Sequence, residues 1–301
     1  MINVGVAGRF KLEAINEETG ERRELAPWFN NLITDQGLNH LGTSGIGQYC
    51  LVGTGSTTPS ETDTTLANKL AHTTTNAGVT YGGQATTTYY SWVRVVFRFA
   101  AGVAAGNLTE LGVGISTTLL FSRTLIKDGS GNPTTITVLP SEALDVTYEL
   151  RMYAPSADTT HTTVIGGVPY TGVVRPSLVT NSGNGDAWGV RSFVVPSSLN
   201  GISPTFTVFS GAVGAVTAGP SGTQETLTGS VAESVYSQNS LNRSGTITCP
   251  LSEGNLAGGI GAVAINTTLG RYQIGFSPSL PKDATKVLTL SFTLSWNRMV
   301  I

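Results

Sequence analysis

Apolar and polar residues alternate along several stretches of this 301-residue chain. From residue 87 to residue 100, aromatic and β-branched residues recur at every second position, and Arg94 and Arg98 share one parity. Residues 287–296 alternate in the same way, with Thr and Ser set against Leu, Phe and Trp. Because successive side chains of a strand point to opposite faces, both stretches predict strands with one buried and one solvated face.

Other alternating stretches are separated by turn residues. Residues 8–34 predict a hairpin around a charged turn, and residues 120–139 predict a second hairpin that turns at 128–133. Residues 143–155 predict a long strand that Pro155 ends. Further strands are predicted at residues 190–195, 203–210, 244–251, 271–277 and 286–301.

Helical signals are confined to two short segments. In residues 34–42, Thr34 or Asp35 can cap a helix whose leucines lie three positions apart, and Gly42 can end it. Residues 62–72 predict a second short helix.

The composition agrees with an all-β chain. Charged residues make up 12% of the sequence, about half the usual share of roughly 25%. Thr, Ser and 37 Gly residues take their place, and these are weak helix formers. Many short strands separated by Gly, Pro and Asn turns predict β-sandwich or jelly-roll-like domains with one or two short helices.

The two halves of the chain resemble each other. Six of thirteen residues are identical between residues 59–71 and 220–232. Segments rich in Ser, Thr and Gly also match by chance, but four collinear matches favour a duplication. We therefore predict tandem β domains at 1–157 and 158–301, joined by a polar linker at 156–169. The other three matches pair 32–37 with 178–183, 106–115 with 254–263, and the closing strands that follow Leu139 and Leu280.

Charge and hydropathy exclude several classes of partner. The net charge is −2 and the longest basic run is Arg22-Arg23, so binding to nucleic acid is not expected. No apolar run is long enough to span a membrane, and the first residues do not form a signal peptide. Cys50 and Cys249 are distant in sequence, and we expect buried thiols in a cytoplasmically folded chain, with a disulfide as the alternative.

Metal, cofactor and catalytic signatures are weak. His40, His72 and His161 fall in unrelated segments, and neither cysteine has a CxxC partner. Residues 128–132 resemble the start of a calcium loop, but Leu139 stands where the bidentate Glu is required. A pair of carboxylates for glycoside hydrolysis need only meet in space, so that alternative stays open. We predict a protein without catalytic residues, metal or cofactor.

Aromatic residues are the best candidates for contact with a receptor or partner. Tyr89 and Trp92 lie in an aromatic cluster, and exposed aromatic rings serve as platforms for sugars and as protein anchors. Trp188 lies in a loop rich in Gly and Asn, which predicts an exposed anchor. The alternative is that the cluster fills the core face of a strand and that Trp188 closes one end of a barrel.

Two segments carry a resemblance to a known group of proteins. Residues 28–42, WFNNLITDQGLNHLG, and residues 120–155 resemble segments of tailed-bacteriophage virion proteins of the tail fibre, minor tail or baseplate-associated type. The resemblance covers residues 25–155. It implies a non-enzymatic structural component of the virion, made in the cytoplasm of the bacterial host, and it brings no catalytic residues.

The resemblance implies partners but leaves alternatives. We expect other virion proteins as neighbours, a homo-oligomer with a trimer favoured, and contact with a glycan or protein of the host surface. A head decoration or collar fibre protein is the alternative within the same class. From other classes, the alternatives are a carbohydrate- or receptor-binding module that uses Trp188 and residues 211–222, and a glycan-degrading tail enzyme.

Overall fold

The computed structural model describes residues 2–182, 188, 206–228, 231–267 and 269–301. Within these ranges the chain is nearly all β, with one helix and several sheets consistent with β-sandwich domains. The prediction of an all-β fold is therefore confirmed. In chain order, the elements up to residue 153 are β1 (Ile2–Asn16), β2 (Arg22–Asn30), β3 (Leu32–Ile33), α1 (Asp35–Leu41), β4 (Tyr49–Gly53), β5 (Lys69–Thr73), β6 (Asn76–Gln84), β7 (Tyr90–Phe99), β8 (Gly106–Leu108), β9 (Glu110–Gly114), β10 (Leu120–Leu125), β11 (Ile136–Val138) and β12 (Glu142–Tyr153).

The remaining described elements are all strands. Among the predicted strands of this half, β18, β20 and β21 are confirmed, and β15 confirms the described part of 203–210; the stretch 190–195 lies outside the described residues. In chain order, the elements are β13 (Thr159–Ile165), β14 (Val168–Pro176), β15 (Phe206–Phe209), β16 (Gln224–Leu227), β17 (Val231–Glu233), β18 (Asn242–Cys249), β19 (Ile260–Thr267), β20 (Gly270–Leu280) and β21 (Leu288–Arg298).

An eight-stranded sheet runs through both halves of the chain. Its order is β17-β18-β21-β1-β12-β7-β6, and β2 also pairs with β1. Strand β1 is antiparallel to β12 but parallel to β21, with Ile2 opposite Leu294. Strands β12 and β21 therefore run in opposite directions on the two sides of β1.

Three smaller sheets contain the remaining described strands. A five-stranded sheet has the order β3-β10-β9-β4-β5, and a six-stranded sheet has the order β13-β14-β20-β19-β15-β16. Strands β11 and β8 form a two-stranded sheet.

The strand orders of the two halves correspond. The run β10-β9-β4-β5 has its counterpart in β20-β19-β15-β16, and the run β12-β7-β6 has its counterpart in β21-β18-β17. Every neighbouring pair in these four runs is antiparallel. This is the relation that a duplication would produce. The duplication and the boundary after residue 157 stay predictions.

Hydrophobic side chains fill the space between the sheets. In the main core, Phe10 of β1 and Tyr148 of β12 are fully buried with ring centroids 4.9 Å apart, and Phe121 of β10 joins them from the five-stranded sheet. A second core lies between β18 and β21 on one side and the six-stranded sheet on the other, and includes Phe292 and Phe206.

Helix α1 confirms the first helix prediction. The Thr34 hydroxyl accepts a hydrogen bond from the Gly37 amide at 3.0 Å and donates to the Leu120 carbonyl at 2.8 Å. Thr34 thus caps the helix and joins it to β10. The indole of Trp296 donates to the Leu38 carbonyl at 2.8 Å, which fixes the helix against β21.

The second helix prediction, residues 62–72, is wrong. The end of this segment is β5, which pairs with β4, and the residues before it form turns and irregular backbone. The carboxylate of Glu110 accepts hydrogen bonds from the amides of Ala67 and Asn68. Since those amides serve a distant carboxylate, they are not available to a helical ladder.

Two other predictions need correction. The turn at 128–133 is present, but the flanking strands do not form one hairpin, because β10 belongs to the five-stranded sheet and β11 pairs with β8. The predicted linker at 156–169 contains a strand instead: β13 pairs with β14 across a two-residue turn. Thr and Ile are good strand formers, and this propensity outweighs the polar character of the segment.

The hairpin at 8–34 and the long strands β7 and β12 are confirmed. Both Cys50 and Cys249 are buried, free thiols, as expected. Within the part of the chain that the structure describes, no helix combines the length and apolar character that a membrane crossing requires.

Candidate functional site

The outer face of the eight-stranded sheet carries a cluster of arginine and aromatic side chains, which we call the arginine–aromatic face. Cross-strand register creates it: Glu149 of β12 lies directly opposite Arg9 of β1 on one side and Arg94 of β7 on the other. Its members are Arg9, Trp28, Trp92, Arg94, Glu149 and Arg151.

Glu149 is the electrostatic centre of this face. Its side chain is 0% exposed and its oxygens accept hydrogen bonds from Arg9 at 2.8 and 3.1 Å, from Arg151 at 2.6 Å and from Arg94. Burial alone would raise the pKa of this carboxyl, but the hydrogen bonds from the three guanidinium groups hold its pKa below the ordinary value. Glu149 is therefore a permanent anion at neutral pH.

Two tryptophan rings pack against these cations. The Arg9 guanidinium lies 4.3 Å from the Trp28 ring centroid, and Arg94 lies 5.3 Å from Trp28 and 4.0 Å from Trp92. All three distances are within the range of favourable cation–π contact. The Trp92 ring lies over Gly82 of β6, where a Cβ atom would overlap the ring. A glycine at this position lets the ring lie against the sheet.

The face has an excess of positive charge. Three guanidinium groups surround one carboxylate, and the side chain of Arg94 is 35% exposed. None of the hydrogen bonds among the described residues uses the Nη groups of Arg94. Donors in this arrangement can bind a carboxylate, a sulfate or a phosphate group from solvent.

Further ion pairs extend across the same sheet. Asp145 of β12 accepts two hydrogen bonds from Arg98 at 2.6 Å, and Arg22 lies 3.6 Å away. Glu142 is held by Arg23 at 2.9 Å. Burial opposes ionisation of Glu142, but the Leu139 amide and Arg23 lower its pKa. These carboxylates of β12 link it to its neighbour β7 and to β2, which lies on the other side of β1.

A separate buried network secures residues 54–68. Arg123 of β10 donates to Glu110 at 2.8 and 3.1 Å and to the Thr57 carbonyl at 3.1 Å, and it pairs with Asp63. Arg123 and Glu110 are almost completely buried. The network holds an irregular segment on the five-stranded sheet.

An apolar cavity lies mainly in the second half, with Ile2 of β1 also in its lining. It measures about 320 Å³ and opens between the six-stranded sheet and β21. His161 is the ionisable residue of its lining, and the Nε2 atom of His161 lies 2.8 Å from the Gly275 carbonyl oxygen. None of the described residues in the lining is a carboxylate, so apart from His161 the lining offers apolar and hydroxyl groups.

Comparison with known proteins identifies no relative: no family model, curated protein or solved structure matches this chain. Among the described residues, no group of three or more His, Cys, Asp or Glu side chains is placed to hold a metal ion. The geometry of the arginine–aromatic face therefore provides the main guide to a binding site.

The structure places the three predicted contact residues differently. Trp92 lies on the arginine–aromatic face and is half-buried. Tyr89 is half-buried beside this strand and packs against the main core, so it does not join the face.

The prediction of an exposed Trp188 is wrong. Its side chain is 1% exposed and packs edge-to-face on Tyr272, with ring centroids 6.4 Å apart. Gly270 explains the burial, because a Cβ atom there would overlap the Trp188 indole. The ring occupies the space that this glycine leaves free.

Sequence reasoning missed Arg9, Trp28, Glu149 and Arg151. The sequence did show that Trp92 and Arg94 lie on the same solvated face of β7, because they are two positions apart in a strand. That was the available signal for this site. The partners come from β1, β2 and β12, and their register could not be derived from local patterns.

Proposed function

We propose that this chain is a non-enzymatic structural component of a bacteriophage particle, of the tail fibre, tail tip or baseplate-associated type. One observation carries the proposal: among the described residues, the buried carboxylates are paired with arginine side chains and link strands to one another. Glu110, Asp145 and Glu149 are each held by arginine. Such a molecule acts through its shape and its contact surfaces. The resemblance of residues 25–155 supplies the link to the virion.

Labelling of intact particles tests this role. An antibody against the chain, viewed by electron microscopy on purified phage, should decorate the tail or baseplate. Decoration of the head would replace the leading proposal with the head decoration or collar alternative. Complete absence of the chain from purified particles, measured by mass spectrometry, would overturn the virion role.

The arginine–aromatic face favours a second candidate function, the binding of an acidic carbohydrate. Trp28 and Trp92 offer apolar surface to a sugar ring, and Arg94 offers unused donors to a carboxylate or a sulfate on that ring. This combination suits a charged glycan better than a neutral one.

Titration with defined polysaccharides tests the second candidate. Polygalacturonate should bind the wild-type chain, and neutral dextran should not. Arg94→Gln should weaken binding about tenfold, which corresponds to ~1.4 kcal/mol. Arg22→Gln is the matched control, because Arg22 belongs to the same sheet but lies beside Asp145. Equal affinity of both variants would exclude this face, and release of sugar fragments would point to the glycan-degrading alternative.

A further inference from the structure

Strand β13 forms an outer edge of the six-stranded sheet. All seven of its residues pair with β14 in an unbroken antiparallel register, from Thr159 opposite Val174 to Ile165 opposite Val168. Among the described residues, no strand pairs with its other side. The backbone donors and acceptors on that side are therefore open to a further strand.

The other sheet edges carry features that oppose pairing. Strand β5 has Lys69 and a register shift in its ladder, β6 has a register shift, and β2 has charged residues and Pro27. Strands β3, β8, β11, β16 and β17 have four residues or fewer. Short strands, charges, proline and bulges are the usual protection of edges.

None of these features is present in β13. Its sequence, TTHTTVI, has no Lys, Arg, Asp, Glu or Pro, and β-branched residues occupy every position except His161. The outward side chains Thr160, Thr162 and Val164 are exposed, and Val164 is 66% exposed. Such a strand has a high propensity to extend a sheet.

The turn after β13 makes this edge rigid. Gly166 and Gly167 connect β13 to β14, with φ angles of +58° and +82°. Positive φ at both positions is typical of the type I′ turn, whose twist matches that of the paired strands. The edge is thus fixed before any partner arrives, which lowers the entropy cost of association.

We propose that β13 pairs antiparallel with β13 of a second copy of this chain, about a two-fold axis at Thr162. The inference rests on the proposed structural role, for which it names a contact between copies. Alignment on the middle residue places Thr162 opposite Thr162 and Thr160 opposite Val164. No like charges meet in this register, and pairs of β-branched residues stabilise antiparallel strands. The six-stranded sheet becomes one sheet of twelve strands.

Cysteine cross-linking tests the register directly. In antiparallel strands, directly opposed Cα atoms are about 4.5–5.5 Å apart, within the range that a disulfide spans. Thr162→Cys should therefore give a disulfide-linked dimer under mild oxidation. The native thiols Cys50 and Cys249 are buried and do not compete. Thr80→Cys is the matched control, an exposed threonine on the edge strand β6.

A charged substitution tests the same contact without a covalent cross-link. Light scattering should find wild-type dimers at micromolar concentration, and Val164→Lys should shift them to monomers. Val235→Lys is the control, since Val235 is 92% exposed and lies outside the sheet edges. Neither substitution alters a buried side chain, so both variants should fold.

The outcomes separate this inference from the particle role. A monomeric wild-type chain, or equal cross-linking of Thr162→Cys and Thr80→Cys, overturns the β13 contact even if particles are labelled. A trimer without Thr162 cross-links overturns it too. A dimer with rapid Thr162 cross-linking supports it, whether or not the chain is found in particles.

Discussion

Glu149 is the residue on which the outer face of the large sheet depends most. It is fully buried, and it accepts hydrogen bonds from three arginines of three strands. Removal of the carboxylate would leave three guanidinium groups close together without a counterion. Repulsion between like charges would then act across β1, β7 and β12.

Glu149→Gln should lower the free energy of unfolding by about 3 kcal/mol, toward the lower end of the range for a broken buried pair, because the arginines reach solvent. Urea unfolding at neutral pH measures this change. If the decrease in unfolding free energy is smaller than the uncertainty of its extrapolation to zero urea, the three guanidinium groups are solvated without help from the carboxylate.

The pH dependence of the same variant follows from the lowered pKa of Glu149. A carboxyl whose folded-state pKa lies below its ordinary value of 4.5 contributes stability above that value and loses it as the pH falls through the folded pKa. The stability difference between wild type and Glu149→Gln should therefore be constant at neutral pH and shrink below pH 4.5. The urea midpoints of wild type and Glu149→Gln, measured at pH 7 and at pH 3.5, test this expectation.

Gly82 should respond sharply to the addition of one methyl group. Gly82→Ala places a Cβ in the Trp92 ring and should cost about 1–3 kcal/mol, with a shift in tryptophan emission as the ring leaves Arg94. Gly78→Ala is the control on the same strand, where a Cβ meets no atom within 4 Å. Equal stability of the two variants would mean that the ring moves away at no cost.

At the scale of single residues, the sequence predicts which face a side chain occupies but not what meets it there. The alternation of β7 correctly separates Trp92 and Arg94 from the buried Val93 and Val95. The sequence predicts an exposed Trp188 because its neighbours in sequence are turn residues. The ring is buried because the distant Gly270 leaves space for it.

At the scale of elements, local sequence signals predict an element correctly when its capping and backbone hydrogen bonds lie within the same short segment. Helix α1 has its cap in Thr34 and its buried leucines within seven residues, so the pattern predicts it correctly. Residues 62–72 have similar patterns, but Glu110 of β9 and Arg123 of β10 bind this stretch from distant positions in the sequence. Long-range ion pairs of this kind leave no mark on local periodicity.

Arg123→Met should release residues 54–68 from the five-stranded sheet. The variant leaves Glu110 buried without its guanidinium partner, and breaking such a pair costs about 3–5 kcal/mol. Limited proteolysis with thermolysin, read by mass spectrometry, should cut the variant near Leu66 much faster than the wild type. Lys69→Met is the control, because the Lys69 side chain donates to the Thr117 carbonyl and takes no part in the Arg123 network. Unchanged cleavage would show that the backbone amides alone hold the segment.

At the scale of the whole molecule, the eight-stranded sheet links the two halves. Strands β21, β18 and β17 continue a sheet whose centre is β1, so backbone hydrogen bonds cross the predicted boundary after residue 157. The sequence predicts two similar halves, and the corresponding strand orders agree with this prediction. The pairing of β1 with β21 joins residues that are distant in sequence, so no local pattern predicts it.

The continuous sheet should make unfolding cooperative. Differential scanning calorimetry of the full chain should give one transition, with a calorimetric enthalpy equal to the van't Hoff enthalpy. Two separate peaks would instead indicate halves that unfold independently. The disruption of β21 by Trp296→Ala, which removes a buried indole bonded to Leu38, should shift the whole transition rather than part of it.

The position of β1 also constrains the timing of biosynthesis. Its residues Ile2–Val6 find their parallel partner only in β21, near the other end of the sequence. A ribosome adds about 5–20 residues per second, so roughly 15–60 seconds pass before β21 emerges. During that interval one side of this short stretch exposes backbone groups to other nascent chains. Ribosome speed and the spacing of ribosomes along the message therefore influence how many copies complete the sheet with their own last strand instead of a neighbour's.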